Sequence, residues 1–176
     1  ILLKNAENYP NEPAISIKDS NKDWQTDTWN DLKDHVFKIS KSLIHLGINP
    51  NDKISIYSYN RKEWSYVYAA TQMIRSVSVG VYHTCSPEEV NWIVSNSTSK
   101  IVFVGHNPSD NGEKDRMPIN RILPILDSLD GVEKVVLMEG IESDHHDKII
   151  TWDKFISYGE NVEESIIHSR LKDLNS

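Results

Sequence analysis

The chain has 176 residues, of which 38% are hydrophobic and 26% charged, a composition that can bury a core and argues against wholesale disorder. Its longest unbroken apolar run, Tyr66–Ala70, is five residues, against the roughly 20 that a bilayer-spanning helix needs. Nineteen Lys and Arg stand against 26 Asp and Glu, a net charge of −7, which disfavours nucleic acid as the main partner because phosphate contacts require concentrated positive charge.

The apolar start Ile1-Leu2-Leu3 gives way at once to Lys4, Asn5 and Glu7, so no secretory leader is expected there. Residue 1 is Ile rather than Met, so a chain incomplete at its N-terminus is expected. Ala14–Ile17 alternates apolar and polar, as a strand with one buried face does. Asp19-Ser20-Asn21 is turn chemistry, and Trp24, Thr26 and Thr28 line one face of a second strand, so 14–28 reads as a hairpin. Thr28 can then cap a helix with Asp31 three residues on. Leu32, Val36, Ile39, Leu43 and Leu46 form its apolar stripe, and Gly47 and Pro50 end it, placing a helix at 29–46.

Lys53–Ser58 reads as a strand, and Asn60 as the cap of a second helix with Glu63 at the capping-box position. Val77–Val81 is the next strand. Ser86-Pro87-Glu88-Glu89 is a helix start with cap, proline and carboxylates in order, and Val90, Ile93 and Val94 give that helix an apolar face. Lys100–Val104 is almost wholly apolar, as in strands covered on both faces. Gly105–Pro118 reads as a polar loop, Ile119–Leu129 as a helix bent at Pro124, Lys134–Met138 as a strand and Ser143–Asp147 as loop. Thr151 and Asn161 are expected to cap two short helices near the end. The alternation of strand and helix from 53 to 138 predicts an α/β fold: a doubly wound, mainly parallel sheet with flanking helices, preceded by the hairpin.

Candidate chemistry is sparse. The seven glycines include no pair two residues apart, so neither a dinucleotide fingerprint nor a Walker loop is present. His145-His146, between Asp144 and Asp147, offers ligand types, but adjacent side chains rarely converge on one ion, and a solvated loop explains them better. Cys85 with His83 has the residue types of a nucleophile and base, yet nothing marks an orienting carboxylate. A half-buried thiol beside a helix cap is the plainer account. Glu88-Glu89 suits the helix dipole rather than acid–base work. Four of the five tryptophans (Trp29, Trp64, Trp92 and Trp152; the fifth is Trp24) fall on helices, with core packing expected. A lone cysteine allows no internal disulfide, which fits a reducing, cytoplasmic compartment.

Taken in order, these segments resemble the N-terminal part of AMP-forming acyl-CoA synthetases of the adenylate-forming superfamily. The resemblance rests on Thr28-Trp29-Asn30-Asp31-Leu32, on Leu46-Gly47 followed by Pro50 and Asp52 before a strand, and on Asn60-Arg61-Lys62-Glu63-Trp64. Their order and spacing together carry it. Gly80-Val81-Tyr82-His83-Thr84-Cys85-Ser86-Pro87-Glu88 and Thr151-Trp152-Asp153-Lys154-Phe155 look like the long-chain, bubblegum-type branch. Arg75-Ser76 and Gly80 replace the Ala-Gly and Pro that many relatives carry around that strand, which points away from the short-chain and aryl-acid branches.

The resemblance implies a ligase that turns ATP and a long-chain fatty acid into an acyl-adenylate and then, with CoA, into acyl-CoA, with Mg²⁺ screening the phosphates. It implies that residues 1–176 are the N-terminal portion of an AMP-binding domain, an incomplete part of a larger unit that stops before the phosphate-binding loop. None of the family's chemical motifs occurs here, so no catalytic, cofactor-binding or metal residue is carried over. The chain alone is expected to be inactive, and peripheral membrane association would suit a fatty-acid enzyme. Two alternatives come from the residues themselves: a self-contained doubly wound binding or interaction module without catalysis, and a small hydrolase using Cys85 and His83.

Overall fold

The computed structural model describes residues 1–19, 21–106, 118–138 and 146–172. A short helix, α1 (Leu2–Asn8), precedes an antiparallel hairpin of β1 (Pro13–Lys18) and β2 (Trp24–Thr28). Helix α2 (Trp29–His45) begins at the expected capping box: Thr28 Oγ1 accepts from Asp31 N at 3.2 Å, and Asp31 accepts from Thr28 N at 2.9 Å. It ends in a Schellman turn, with Gly47 at φ +79° and Ile48 N donating to Leu43 O. Next come β3 (Lys53–Ser58), α3 (Lys62–Met73), β4 (Val77–Val81), α4 (Pro87–Ser97) and β5 (Ser99–Gly105). After these the chain forms α5 (Pro118–Ile122) and a 3₁₀ turn over Leu123–Ser128. The end is built from β6 (Lys134–Leu137), β7 (Ile149–Thr151), α6 (Trp152–Ser157) and α7 (Glu164–Lys172).

Strands β3 to β7 form one parallel sheet in the order β4-β3-β5-β6-β7, with β4 and β7 outermost. Alternate residues of β3, β5 and β6 feed two cores. Ile54, Ile56, Ile101 and Phe103 face one side, with Val36, Leu43, Val67 and Ala70 of α2 and α3. Tyr57, Val102, Val104 and Val135 face the other, with Val90 and Val94 of α4 and with Ile122 and Leu126. The connections β3→β4 and β4→β5 run in opposite directions across the sheet. Their helices α3 and α4 lie on opposite faces, as right-handed crossovers require.

The hairpin is tied to this body by a polar knot. Lys62 Nζ donates to Asp27 Oδ1 at 2.6 Å, and the Tyr66 hydroxyl donates to Asp27 Oδ2. Burial, and then the Asp27 carboxylate, push the Tyr66 phenol well above its ordinary value.

Several expectations need correction. Asn60 does not cap α3: Arg61 occupies the N-cap without a side-chain cap bond, and Glu63 takes the Arg61 guanidinium at 2.8 Å instead. The last helix starts at Glu164, so Asn161 stands in the turn before it rather than at its cap. The bend at Pro124 takes the form of a switch from α to 3₁₀ geometry at Leu123. Strand β7 was not legible as a strand, and neither was α1 as a helix. Trp92, two residues past the buried Val90, points to solvent and is 67% exposed. The loop read over 105–118 lies outside the described residues between 107 and 117, and so do residues 143–145 of the loop read at Ser143–Asp147.

Candidate functional site

In an open parallel sheet, ligands meet the crevice at the carboxyl ends of the strands where the strand order reverses. Here that place lies between β3 and β5, at Ser58 and Tyr59 on one side and Gly105 and His106 on the other. The two ends remain joined, Tyr59 N donating to Gly105 O at 3.3 Å. Gly105 allows this approach. A Cβ there would lie 2.4 Å from Ser58 Oγ and 2.9 Å from Met138 Sδ, so those side chains would have to shift, and 3.1 Å from Arg61 Cδ, a tight contact.

Beside the crevice lies a cleft of about 320 Å³ whose walls include Ser58, Asn60, Trp64, Gly80, Tyr82 and His83. The His83 ring stacks on Tyr59 with centroids 3.7 Å apart. Tyr82 is 78% exposed and Trp64 half-buried. The loop from Tyr82 to Ser86 is fastened from below. Tyr57 Oη donates to Cys85 O at 3.0 Å, and one Arg121 amino group donates to His83 O at 3.1 Å and to Cys85 O at 3.0 Å. Burial raises the Tyr57 phenol above its usual range, although the Arg121 cation beside it pulls the other way. A larger groove, about 540 Å³, lies among α1, α2, α3 and Leu171. Its described lining residues are almost entirely apolar, and none of them is suited to bond-making chemistry.

The proposed nucleophile and base do not meet. Among the described residues no hydrogen bond joins Cys85 to His83. The Cys85 side chain packs against the second core, and both residues serve the site through their carbonyl oxygens. His146 Nδ1 accepts from Lys148 N at 3.1 Å, so Nε2 carries the proton directed at Asp127, 3.0 Å away. His145 and Asp144 lie outside the described residues, and among those described no three His, Cys, Asp or Glu gather as metal ligands. Glu89 closes a capping box with Ser86, as expected. Tyr57, Tyr59 and Arg121 were missed. The first two carry a weak signal, aromatic hydroxyls at the end of a strand whose neighbours are aliphatic, while Arg121 is only a lone cation in an apolar stretch.

Among the described residues, the groups at the crevice do not by themselves fit a triphosphate. Phosphate sites use closely approaching backbone N–H groups and uncommitted cations. Here Arg121 is engaged by two carbonyls and Arg61 by Glu63, and no glycine-rich turn borders the crevice among the described residues.

Comparison with known proteins supplies what the geometry does not. The family described as AMP-binding enzyme matches residues 2–165. Long chain acyl-CoA synthetase 4 of Arabidopsis thaliana is 25% identical over 187 aligned positions, covering 99% of this chain and 26% of that protein. The mouse long-chain-fatty-acid–CoA ligase ACSBG2 is 25% identical over 92% of this chain and 23% of its own length. The crystal structure of coronafacic acid ligase from Pectobacterium brasiliense superposes with a TM-score of 0.71 at 22% identity, over 89% of this chain and 28% of that one. The chain thus spans about a quarter of the length of these relatives.

Proposed function

We propose, for a chain that belongs to the AMP-binding enzyme family, that it is the N-terminal portion of an AMP-forming long-chain fatty acid–CoA ligase. A fatty-acid carboxylate oxygen attacks the α-phosphorus of ATP and pyrophosphate leaves. The CoA sulfur then attacks the acyl carbonyl of the adenylate, and AMP leaves with the acyl group now on sulfur. Mg²⁺ would screen the phosphates, a cytoplasmic address fits the unpaired cysteine, and contact with a membrane surface would suit the substrate. In this reading residues 1–176 supply one lobe of the AMP-binding domain and the wall of a crevice. The donors around the phosphates, where electrostatic stabilisation is commonly largest, come from elsewhere in the protein.

The observation that carries the reading is the family match over 2–165, joined to two long-chain relatives that align with nearly the whole chain. The test compares the 176-residue chain with the longer product of its gene. The longer protein should form acyl-CoA from palmitate, ATP and CoA and exchange pyrophosphate into ATP, and the 176-residue chain should do neither. A longer product that adenylates no fatty acid of any length would overturn the assignment, and exchange by the short chain would overturn the placement of the phosphate donors.

A further inference from the structure

We propose that Arg121 is a positioning residue: with the Tyr57 hydroxyl it gathers the carbonyl oxygens of His83 and Cys85, and so fixes the loop that walls the cleft. The loop from Tyr82 to Ser86 leaves the carboxyl end of β4 and enters α4. Within it Cys85 N donates to Tyr82 O at 2.9 Å. That turn directs the carbonyls of His83 and Cys85, two residues apart, toward one point. Two carbonyl dipoles converging inside a protein repel unless donors fill the space between them.

Two donors do so. Arg121 spans both oxygens at 3.1 and 3.0 Å, and Tyr57 Oη lies 3.0 Å from Cys85 O and 3.5 Å from His83 O. The guanidinium bonds are charge-assisted and the stronger pair. Tyr57 is fully buried in the second core, so its hydroxyl cannot follow the loop outward. The Arg121 backbone is held beside Ile122, which is fully buried in the same core, and its side chain is half-buried. Arg121 belongs to the β5–β6 connection and the loop to the β4–α4 connection. The clamp therefore joins two segments that the sheet itself does not join, at the edge where the cleft opens and where His83 rests on Tyr59.

This holds whether or not the longer protein is a ligase, and its test uses neither ATP nor a fatty acid. Cys85, the only thiol in the chain, lies in the loop and is half-buried, with part of its side chain packed against the second core. Loop opening uncovers the rest of that side chain, so the rise in its rate of reaction with Ellman's reagent, variant against parent, reports loop opening. In the 176-residue chain, Arg121→Gln should raise that rate at least tenfold. The rise should not grow between 0 and 1 M urea, because local opening exposes little surface and global unfolding exposes much. Arg121→Lys, which keeps one charged donor, should restore part of the protection.

A folded Arg121→Gln chain that reacts at the parental rate would overturn the proposal. So would a rise with the urea dependence of global unfolding, since Arg121 would then merely hold the fold. If Arg121→Gln does not fold, Tyr57→Phe decides. It removes one donor and keeps the ring, so faster reaction at an unchanged urea midpoint supports the clamp, and an unchanged rate rejects it.

Discussion

Gly47 and Arg75 occupy the same position in two helices that end alike. After α2, Gly47 N donates to Ile44 O and Ile48 N to Leu43 O. After α3, Arg75 N donates to Gln72 O and Ser76 N to Thr71 O. Both are Schellman turns, which require a left-handed residue at their pivot. Gly47 adopts φ +79° freely, whereas Arg75 is held at φ +64° against its own Cβ. Part of that cost is offset by the smaller freedom that Arg has in the unfolded chain. Arg75→Gly should therefore stabilise the chain, by about 0.5–1 kcal/mol, read as a higher urea midpoint at unchanged slope.

Asp52 makes a second prediction at this scale. Burial pushes its carboxyl up, but the hydrogen bond from Asn49 N and the Lys100 ammonium at 2.9 Å outweigh it, and the net shift is downward. A carboxyl lowered by folding contributes stability above its unfolded value, about 3.9, and loses it as the pH falls through the lower folded value. The gap in urea midpoint between the parent and Asp52→Asn should be constant from pH 7 to 5 and close below pH 4. A gap that widens on acidification would contradict the assignment. Residues of this kind were poorly legible in the sequence. Arg121 and Tyr57 act on carbonyls about 26 to 38 positions away, and no local pattern encodes such a meeting.

Elements were legible where their signals are local. The capping boxes at Thr28 and Ser86 need only four consecutive residues, and both form as read. Asn60 failed because Arg61 draws Glu63 away from the reciprocal cap bond. Strand β7 has three residues, too few for an alternation to show, and it joins the sheet by pairing with β6. Helix α1 has no side-chain cap bond to announce it. Removing a cap that does form gives the element-scale prediction. Ser86 Oγ accepts from Glu89 N at 3.3 Å while Glu89 accepts from Ser86 N at 2.8 Å. Ser86→Ala should cost about 1 kcal/mol, seen as a lower melting temperature with no change in helix content before the transition.

At the scale of the molecule, the order of elements told more than any one of them. Alternation from residue 53 to 138 implied a parallel sheet, and Ile54, Ile56, Val102 and Val104 are buried in it as that pattern requires. The strand order was not readable, because pairing of β3 with both β4 and β5 depends on contacts distant in sequence. The crevice follows from that order, so its place was equally hidden. Ile56 stands at the centre, between Gly80 of β4 and Phe103 of β5 and with no exposed surface. Ile56→Asp should cost several kcal/mol by placing an unpaired charge in the core. Unfolding at the parental urea concentration would disprove the sheet.

The outermost position of β4 bears on how the protein behaves as a colloid. Among the described residues β4 pairs on one side only, so half of its backbone donors and acceptors face outward. Its sequence Val-Ser-Val-Gly-Val holds neither charge nor proline, the residues that usually blunt such an edge. Val77 is already 43% exposed. Concentrated solutions of the chain should therefore thicken through strand-to-strand addition between copies, despite a net charge of −7 that keeps them apart at longer range. A single lysine at the exposed end, Val77→Lys, leaves the cores untouched and should lengthen the lag before light scattering rises at 37 °C. An unchanged lag would assign the turbidity to another surface.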